Sequence, residues 1–205
     1  MNPAECAARV AGNPVSVKEI DDREAALRAG NRASALPRPG TSEGRQLRRW
    51  LTQLVVAERV VDAEACARGL SGLGAPGQDE LLPDTAARLE IGSVAAATLG
   101  SPRARAVFAD VTAAVDVSDA EVAAYHARNP LRFASAQAGS RGWRGRPVVP
   151  SLDQARYRIA AHLRAAARRQ AFRQWLDTRC ATLVELAPGY EHPGDPRQPD
   201  NTHKH

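Results

Sequence analysis

Histidines and carboxylates cluster near the C-terminal end of the chain, and their side chains are of the types that bind metal ions. Three of the five histidines, His192, His203 and His205, lie within the last fourteen residues, where they are accompanied by Asp195 and Asp200. In an extended segment His203 and His205 would point to the same side, because side chains alternate along a strand. These five residues are therefore the candidate metal ligands.

Imidazole combined with carboxylate is typical of transition-metal sites. Such a set suits Zn, Cu, Ni or Fe, and the bound ion acts as a Lewis acid or activates water. Prolines punctuate the same segment and limit its conformations, so ordering it costs less entropy. Two other interpretations stay open: a tail docked on the body of the protein, and a disordered polar tail with incidental histidines. These residues indicate neither a substrate nor a catalytic group.

Three further residues are candidates for the lining of a ligand cleft. Tyr125 and His126 follow a strong helix-start signal, and Trp143 lies between Arg141 and Arg144 in a segment rich in Gly, Arg and Pro. The alternative role of His126 is surface or packing, and that of Trp143 is to cover apolar surface.

The elements that must position these residues are predicted to be mostly helices. Ser16 with Glu19, and Ser118 with Glu121, match the pattern of an N-cap with its capping box. Apolar residues also recur at helical spacing in the long runs 45–61 and 151–180. One helix is predicted to contain Leu89, Ile91 and Val94. The predicted helices begin at Ser16, near Arg45, at Asp62, after Asp84, at Ser101, at Ser118 and at Ser151.

Short extended segments are predicted near both ends. Residues 8–17 alternate and turn at Gly12–Pro14, as a hairpin does. Residues 182–186 are predicted to form a strand that pairs with Val15–Val17. The expected fold is a multi-helix, mostly α module at residues 1–187, with a small two-strand element joining its N- and C-terminal segments. A Pro- and His-rich tail follows at residues 188–205.

The charged residues of the chain bear on the kind of partner that it binds. The net charge of +5 comes almost wholly from arginine and fits an anionic partner such as nucleic acid. However, Arg164, Arg168 and Arg169 lie on a helical repeat without the interleaved aromatic residues that stack on bases, so we disfavour nucleic acid.

No stretch approaches the roughly 18 apolar residues of a membrane helix. The N-terminal residues show no secretory signal and the three cysteines form no CxxC pair, so we expect the cytoplasm.

Several segments, in order along the chain, resemble the SurA and PrsA foldases. The opening run ARVAGNPVSVKEIDDR is similar to the first segment of those chaperone domains, and RQLRRWLTQLVVAERVVDAEACARG to their second helix. VSDAEVAAYHARNPLRF is similar to their recurrent Tyr-containing helix. PSLDQARYRIAAHLRAAARRQAFRQWLDTRCATLVEL resembles their closing helix and final strand. The resemblance covers most of residues 8–186.

The resemblance implies a chaperone-type module that binds an apolar peptide or a client protein, with affinity from buried Leu, Val and Trp surface. In a foldase, a parvulin prolyl-isomerase domain separates the Tyr-containing helix from the final helix. Here the interval is the short run SAQAGSRGWRGRPVVP, without a parvulin signature, so isomerase activity is not implied. The alternative is a metal-dependent enzyme of specialised metabolism, with its metal site in the C-terminal tail.

Overall fold

A computed structural model describes residues 5–31, 33–134 and 147–195 of the 205-residue chain. This part of the chain is mostly helical with a small antiparallel sheet, which confirms the predicted fold class. The strands are β1 (Cys6–Val10), β2 (Asn13–Ser16) and β3 (Val184–Leu186). The helices are α1 (Val17–Arg28), α2 (Ser42–Ala67), α3 (Gln78–Leu81), α4 (Thr85–Ile91), α5 (Ser93–Thr98), α6 (Pro102–Val111), α7 (Asp119–Arg128) and α8 (Leu152–Leu183).

The described residues divide into two compact units. The larger unit comprises residues 5–31, 33–111 and 172–195, and the smaller unit comprises residues 112–134 and 147–171. α8 contributes its N-terminal part to the smaller unit and its C-terminal part to the larger one. In the described ranges, no helix combines the length and the apolar composition that crossing a membrane requires.

The sheet has the strand order β2-β1-β3, so β3 pairs with β1. Leu186 lies opposite Ala8, and Val184 lies opposite Val10. The predicted pairing of residues 182–186 with Val15–Val17 was therefore wrong. β2 contains Pro14, which has no N–H to donate, so β2 suits an edge position. β1 contains no proline and offers N–H and C=O groups to partners on both sides.

The β1–β2 hairpin turns earlier than the sequence pattern predicted. Ala11 and Gly12 have φ values of 48° and 80°, the left-handed values that a two-residue type I′ turn requires. Asn13 and Pro14 belong to β2 instead of the turn. The twist of a type I′ turn matches the twist of the strands that it joins, which favours this tighter connection.

Both predicted serine N-caps are confirmed. Of the two predicted capping boxes, the one at Ser118 is complete, whereas the Glu19 carboxylate bonds Arg59 instead. Ser16 Oγ accepts a hydrogen bond from the Glu19 N–H at 3.2 Å at the start of α1. At the start of α7, Ser118 Oγ accepts from the Glu121 N–H and the Glu121 carboxylate accepts from the Ser118 N–H, which completes a capping box. Each cap satisfies helix N–H groups that lack a partner within the helix.

The long helix α2 supplies much of the core of the larger unit. Thr41 caps it by accepting from the Gly44 N–H at 3.1 Å. The helix runs without a break through Asp62, so the predicted separate helix starting at Asp62 was wrong. Asp62 is exposed on the helix surface, and a single exposed Asp lowers helix propensity only slightly. The buried side chains of α2 include Leu51, Leu54, Val55, Val56, Val60 and Val61.

Gly92 divides the region that was predicted to form one helix through Val94. Its φ of 88° lies outside the right-handed helical region, so α4 ends at Ile91 and α5 begins at Ser93. The cap at Asp84 is confirmed, because its carboxylate accepts from the Ala87 N–H at 2.8 Å.

The smaller unit has a small apolar core. Among the described residues, the fully buried members of this cluster are Val122, Ala155 and Ile159, and Tyr125 and Phe133 are among the half-buried side chains packed against them. A core of this size leaves other apolar side chains of the unit half-exposed.

Candidate functional site

The chain that follows β3 is docked on the larger unit as far as residue 195. The Ala187 N–H donates to the Ala7 carbonyl at 3.0 Å, and Arg49 Nε donates to the Gly189 carbonyl at 3.4 Å. Tyr190 packs against the apolar core, with the Arg48 guanidinium 5.8 Å from its ring centre. The first part of the predicted tail is thus an ordered segment of this unit.

This segment brings His192 into the wall of a cavity of about 480 Å³, which we name the tail cavity. α8 contributes Asp177 and Cys180 to the same wall, and α2 contributes Gln53. The cavity is lined by Gln53, Ala57, Ile91, Gly92, Ser93, Val94, Ala95, Arg173, Leu176, Asp177, Cys180 and His192.

The protonation of the tail cavity's side chains limits their chemistry. His192 Nδ1 accepts a hydrogen bond from the Gly194 N–H at 3.0 Å, so the neutral ring carries its proton on Nε2. Burial, with a smaller contribution from Asp177, raises the pKa of the Cys180 thiol to about 11. Cys180 is therefore a neutral thiol near pH 7, and a neutral thiol is a poor nucleophile.

The predicted metal ligands are only partly within the described residues. Asp200, His203 and His205 lie outside them. The Asp195 N–H donates to the His192 carbonyl at 2.9 Å, which fixes the backbone between these two residues. Across residues 5–31, 33–134 and 147–195, no three His, Cys, Asp or Glu side chains are grouped to hold a metal ion.

A second site lies in the smaller unit and contains Tyr125, one of the predicted cleft residues. Tyr125 Oη lies 3.2 Å from His162 Nε2, and the two ring centres are 5.6 Å apart. The ring of Phe133 stands edge-on to both, at 6.4 Å from Tyr125 and 6.2 Å from His162. The cluster thus joins one ring from α7, one from α8 and one from the loop that follows α7.

This cluster borders an open cleft of about 760 Å³, which we name the aromatic cleft. The Arg158 guanidinium lies over the Phe133 ring, 5.1 Å from its centre, a cation–π arrangement. Leu131 is 63% exposed at the cleft, so apolar surface is accessible there. The cleft is lined by Arg128, Asn129, Pro130, Leu131, Arg132, Phe133, Arg158 and His162.

The other two predicted cleft residues are placed differently from Tyr125. His126 Nε2 lies 3.0 Å from the Pro150 carbonyl oxygen and donates to it, which ties α7 to the segment before α8. Trp143 lies outside the described residues. Sequence reasoning did not select Phe133, Arg158 or His162 as site residues, although Phe133 ends the Tyr-containing motif.

One motif escaped the sequence reasoning altogether: residues 40–44 read Gly-Thr-Ser-Glu-Gly, a G-x-S-x-G pattern. In hydrolases this pattern places a nucleophilic serine on a strained turn between a strand and a helix. Here Ser42 is instead the first residue of α2, and a turn precedes it. Both glycines have structural reasons, since Gly40 has a φ of 82° and a Cβ on Gly44 would collide with the Arg38 carbonyl.

Comparison with known proteins gives one partial match. A family of unknown function, DUF7158, matches residues 6–43, which contain β1, β2, α1 and the loop leading into α2. The match covers well under half of the chain. No curated protein and no solved structure matches the chain.

Proposed function

We propose that this chain is a chaperone-type module that binds apolar segments of peptides or client proteins and has no prolyl-isomerase activity. The aromatic cleft is the observation that carries the proposal. Its Phe133 ring and its exposed Leu131 side chain offer an apolar contact surface. The rings of Tyr125 and His162, which lie within hydrogen-bond distance of each other, pack beside it. Clefts of mixed aromatic and aliphatic lining are where extended peptide segments bind.

The exposure of apolar residues in the smaller unit supports this proposal. The consecutive residues Val148 and Val149 are each nearly half exposed. Contiguous exposed apolar residues are characteristic of interaction sites.

The order of the elements supports it as well. The elements follow the order that the SurA and PrsA resemblance implies: a β-hairpin with α1, a long α2, the Tyr-containing α7, and finally α8 with β3.

We also propose a reducing compartment such as the cytoplasm. In keeping with it, Cys6, Cys66 and Cys180 are free thiols in the described structure.

The proposal is tested by aggregation of reduced insulin, followed by light scattering with and without the protein. The unmodified chain is expected to suppress aggregation at near-equimolar ratio, and Phe133→Ser is expected to lose most of this effect because it removes the apolar wall of the cleft. Tyr157→Ser is the matched control, since it removes an exposed ring of the same unit that does not line the cleft. Suppression by neither protein, or equal suppression by Phe133→Ser, rejects the proposal.

A second candidate function is a metal-dependent enzyme whose site includes the C-terminal tail. One observation favours it: His192 shares the tail cavity with Asp177, Cys180 and Arg173, so the docked segment forms part of the wall of this cavity. A bound Zn, Cu, Ni or Fe ion would there need His203 or His205 as further ligands.

Elemental analysis after incubation with each of these four metals, followed by desalting, tests this alternative. If the alternative is correct, the protein retains metal at a stoichiometric ratio. The His203→Ala and His205→Ala variants then lose this metal, and His126→Ala keeps it. The last variant removes an imidazole bonded to a backbone carbonyl far from the tail in sequence. Protein that retains no metal after any incubation rejects it.

A further inference from the structure

The positive charge of the chain is concentrated in the smaller unit. Residues 112–171 contain ten arginines and four acidic residues, whereas the whole chain has a net charge of only +5. The rest of the sequence is therefore close to neutral. An excess of this kind creates a local positive potential that attracts anionic groups.

The described arginines of this unit differ in whether a carboxylate neutralises them. Arg156 is paired with Asp119 at 2.7 Å, and Arg164 is paired with Asp116 at 2.7 Å. In contrast, no carboxylate of the described residues forms an ion pair with the cleft residues Arg128, Arg132 and Arg158. These three guanidinium groups, which have no carboxylate partner among the described residues, line the aromatic cleft.

From this charge pattern we infer that the aromatic cleft selects acidic peptide segments, in which Asp or Glu alternates with apolar residues. The inference rests on the proposed peptide-binding function and names its substrate class. Guanidinium groups form paired hydrogen bonds with carboxylates, while Leu131 and Phe133 contact the apolar side chains between them. No Asp or Glu of the described residues lines the cleft to repel such a segment.

An acidic peptide fits this cleft better than a nucleic acid does. Single-stranded nucleic acid binds largely by stacking its bases on open aromatic faces. Here the Arg158 guanidinium covers a face of Phe133, and the Tyr125 and His162 rings pack against the same residue. The accessible surface that remains comprises the exposed Leu131 side chain, the uncovered part of the Phe133 ring and the guanidinium groups, which suits an acidic peptide with Leu or Phe side chains.

The test is fluorescence anisotropy with three labelled peptides that share alternating Phe and Leu and differ at the intervening positions, which are Glu, Gln or Lys. The Glu peptide is expected to bind about tenfold more tightly than the Gln peptide, and the Lys peptide more weakly than both. Arg158→Gln is expected to weaken binding of the Glu peptide about three- to tenfold and to change binding of the Gln peptide little. Arg156→Gln, which removes the same charge from the same helix at a paired position, is expected to leave both affinities near their original values.

The outcomes separate this inference from the function on which it rests. Equal affinity for the Glu and Gln peptides, or equal losses in Arg156→Gln and Arg158→Gln, overturns the charge selection and leaves peptide binding standing. Binding of none of the three peptides rejects the proposed function itself. Tighter binding of a labelled poly(dT) strand than of the Glu peptide, with a steep salt dependence, assigns the cleft to nucleic acid instead.

Discussion

Replacing Glu64 by Gln removes a negative charge that joins α2 to the last helix, α8. The Glu64 carboxylate accepts from Arg68 Nε at 2.6 Å and from an Arg179 terminal nitrogen at 2.7 Å. Its side chain is only 11% exposed, and Arg68 also pairs with Asp110. Glu64 is therefore the centre of a small ion-pair network, in which a neutral amide would satisfy one guanidinium at most.

The expected cost of Glu64→Gln is about 1–2 kcal/mol in the free energy of unfolding. An exposed ion pair contributes about 0.2–1 kcal/mol, and a charge-assisted hydrogen bond contributes more when it is shielded from water. The shared carboxylate is shielded from water, but both arginine side chains are 40% exposed. We therefore expect each pair to contribute a free energy near the upper end of the range for exposed ion pairs, and not above it. Two such pairs give the stated total.

This contribution depends on pH in a defined direction. Burial alone would raise the pKa of Glu64, but the hydrogen bonds and charges of Arg68 and Arg179 outweigh it and lower that pKa below its ordinary value. A lowered folded-state pKa contributes stability above the unfolded-state pKa, and the contribution is lost as pH falls through the folded-state value. The difference between the original chain and Glu64→Gln is therefore expected to shrink at pH values below about 4.

Urea denaturation followed by tryptophan fluorescence measures this difference. In a Trp143→Phe background the remaining tryptophans, Trp50 and Trp175, both belong to the larger unit. Glu58→Gln is the control, because Glu58 lies on the same helix and is more exposed, with a single ion pair to Arg23 in the described structure. Equal destabilisation by the two variants, or a Glu64 effect that grows in acid, refutes the reasoning.

Three further predictions concern the larger unit. Phe172 is fully buried, so Phe172→Ala is expected to cost about 3–5 kcal/mol in urea denaturation, whereas Leu89→Ala, at a 75% exposed position, changes stability by a few tenths at most. Because its pKa is raised to about 11, Cys180 should react with iodoacetamide at pH 8 far more slowly than exposed Cys66, by peptide mass spectrometry; equal rates contradict its burial. Gly44→Ala should destabilise the chain by about 1–3 kcal/mol through overpacking, and an unchanged melting temperature contradicts the close contact at this position.

Local signals in the sequence predicted the helices well. The caps at Ser16, Asp84 and Ser118 were all found where the side-chain patterns placed them. Such signals depend on residues within one helical turn, so they survive in the folded protein. The continuation of α2 through Asp62 was missed because an exposed Asp resembles a helix start, although the buried face of the helix continues beyond it.

Strand pairing was harder to predict, since it depends on contacts between distant parts of the chain. The strand at residues 184–186 was recognised, but nothing local indicates which edge of the hairpin it joins. The answer comes from Pro14, which makes β2 a poor central strand.

The aromatic cleft depends both on a local sequence signal and on contacts between distant parts of the chain. Tyr125 was selected from a motif on α7, while its partner His162 lies 37 residues further along, on α8. Only the packing of the two helices brings these rings together with Phe133. In the same way, the tail cavity joins His192 to Asp177 and Cys180, and the last two are three residues apart on one helix.

Hydrogen exchange with and without the Glu-containing peptide tests the central claim, peptide binding at the aromatic cleft, most directly. We predict slower amide exchange in residues 125–133 and in the first half of α8, with no change in α2. Protection confined to the larger unit, or no protection at saturating peptide, contradicts the claim.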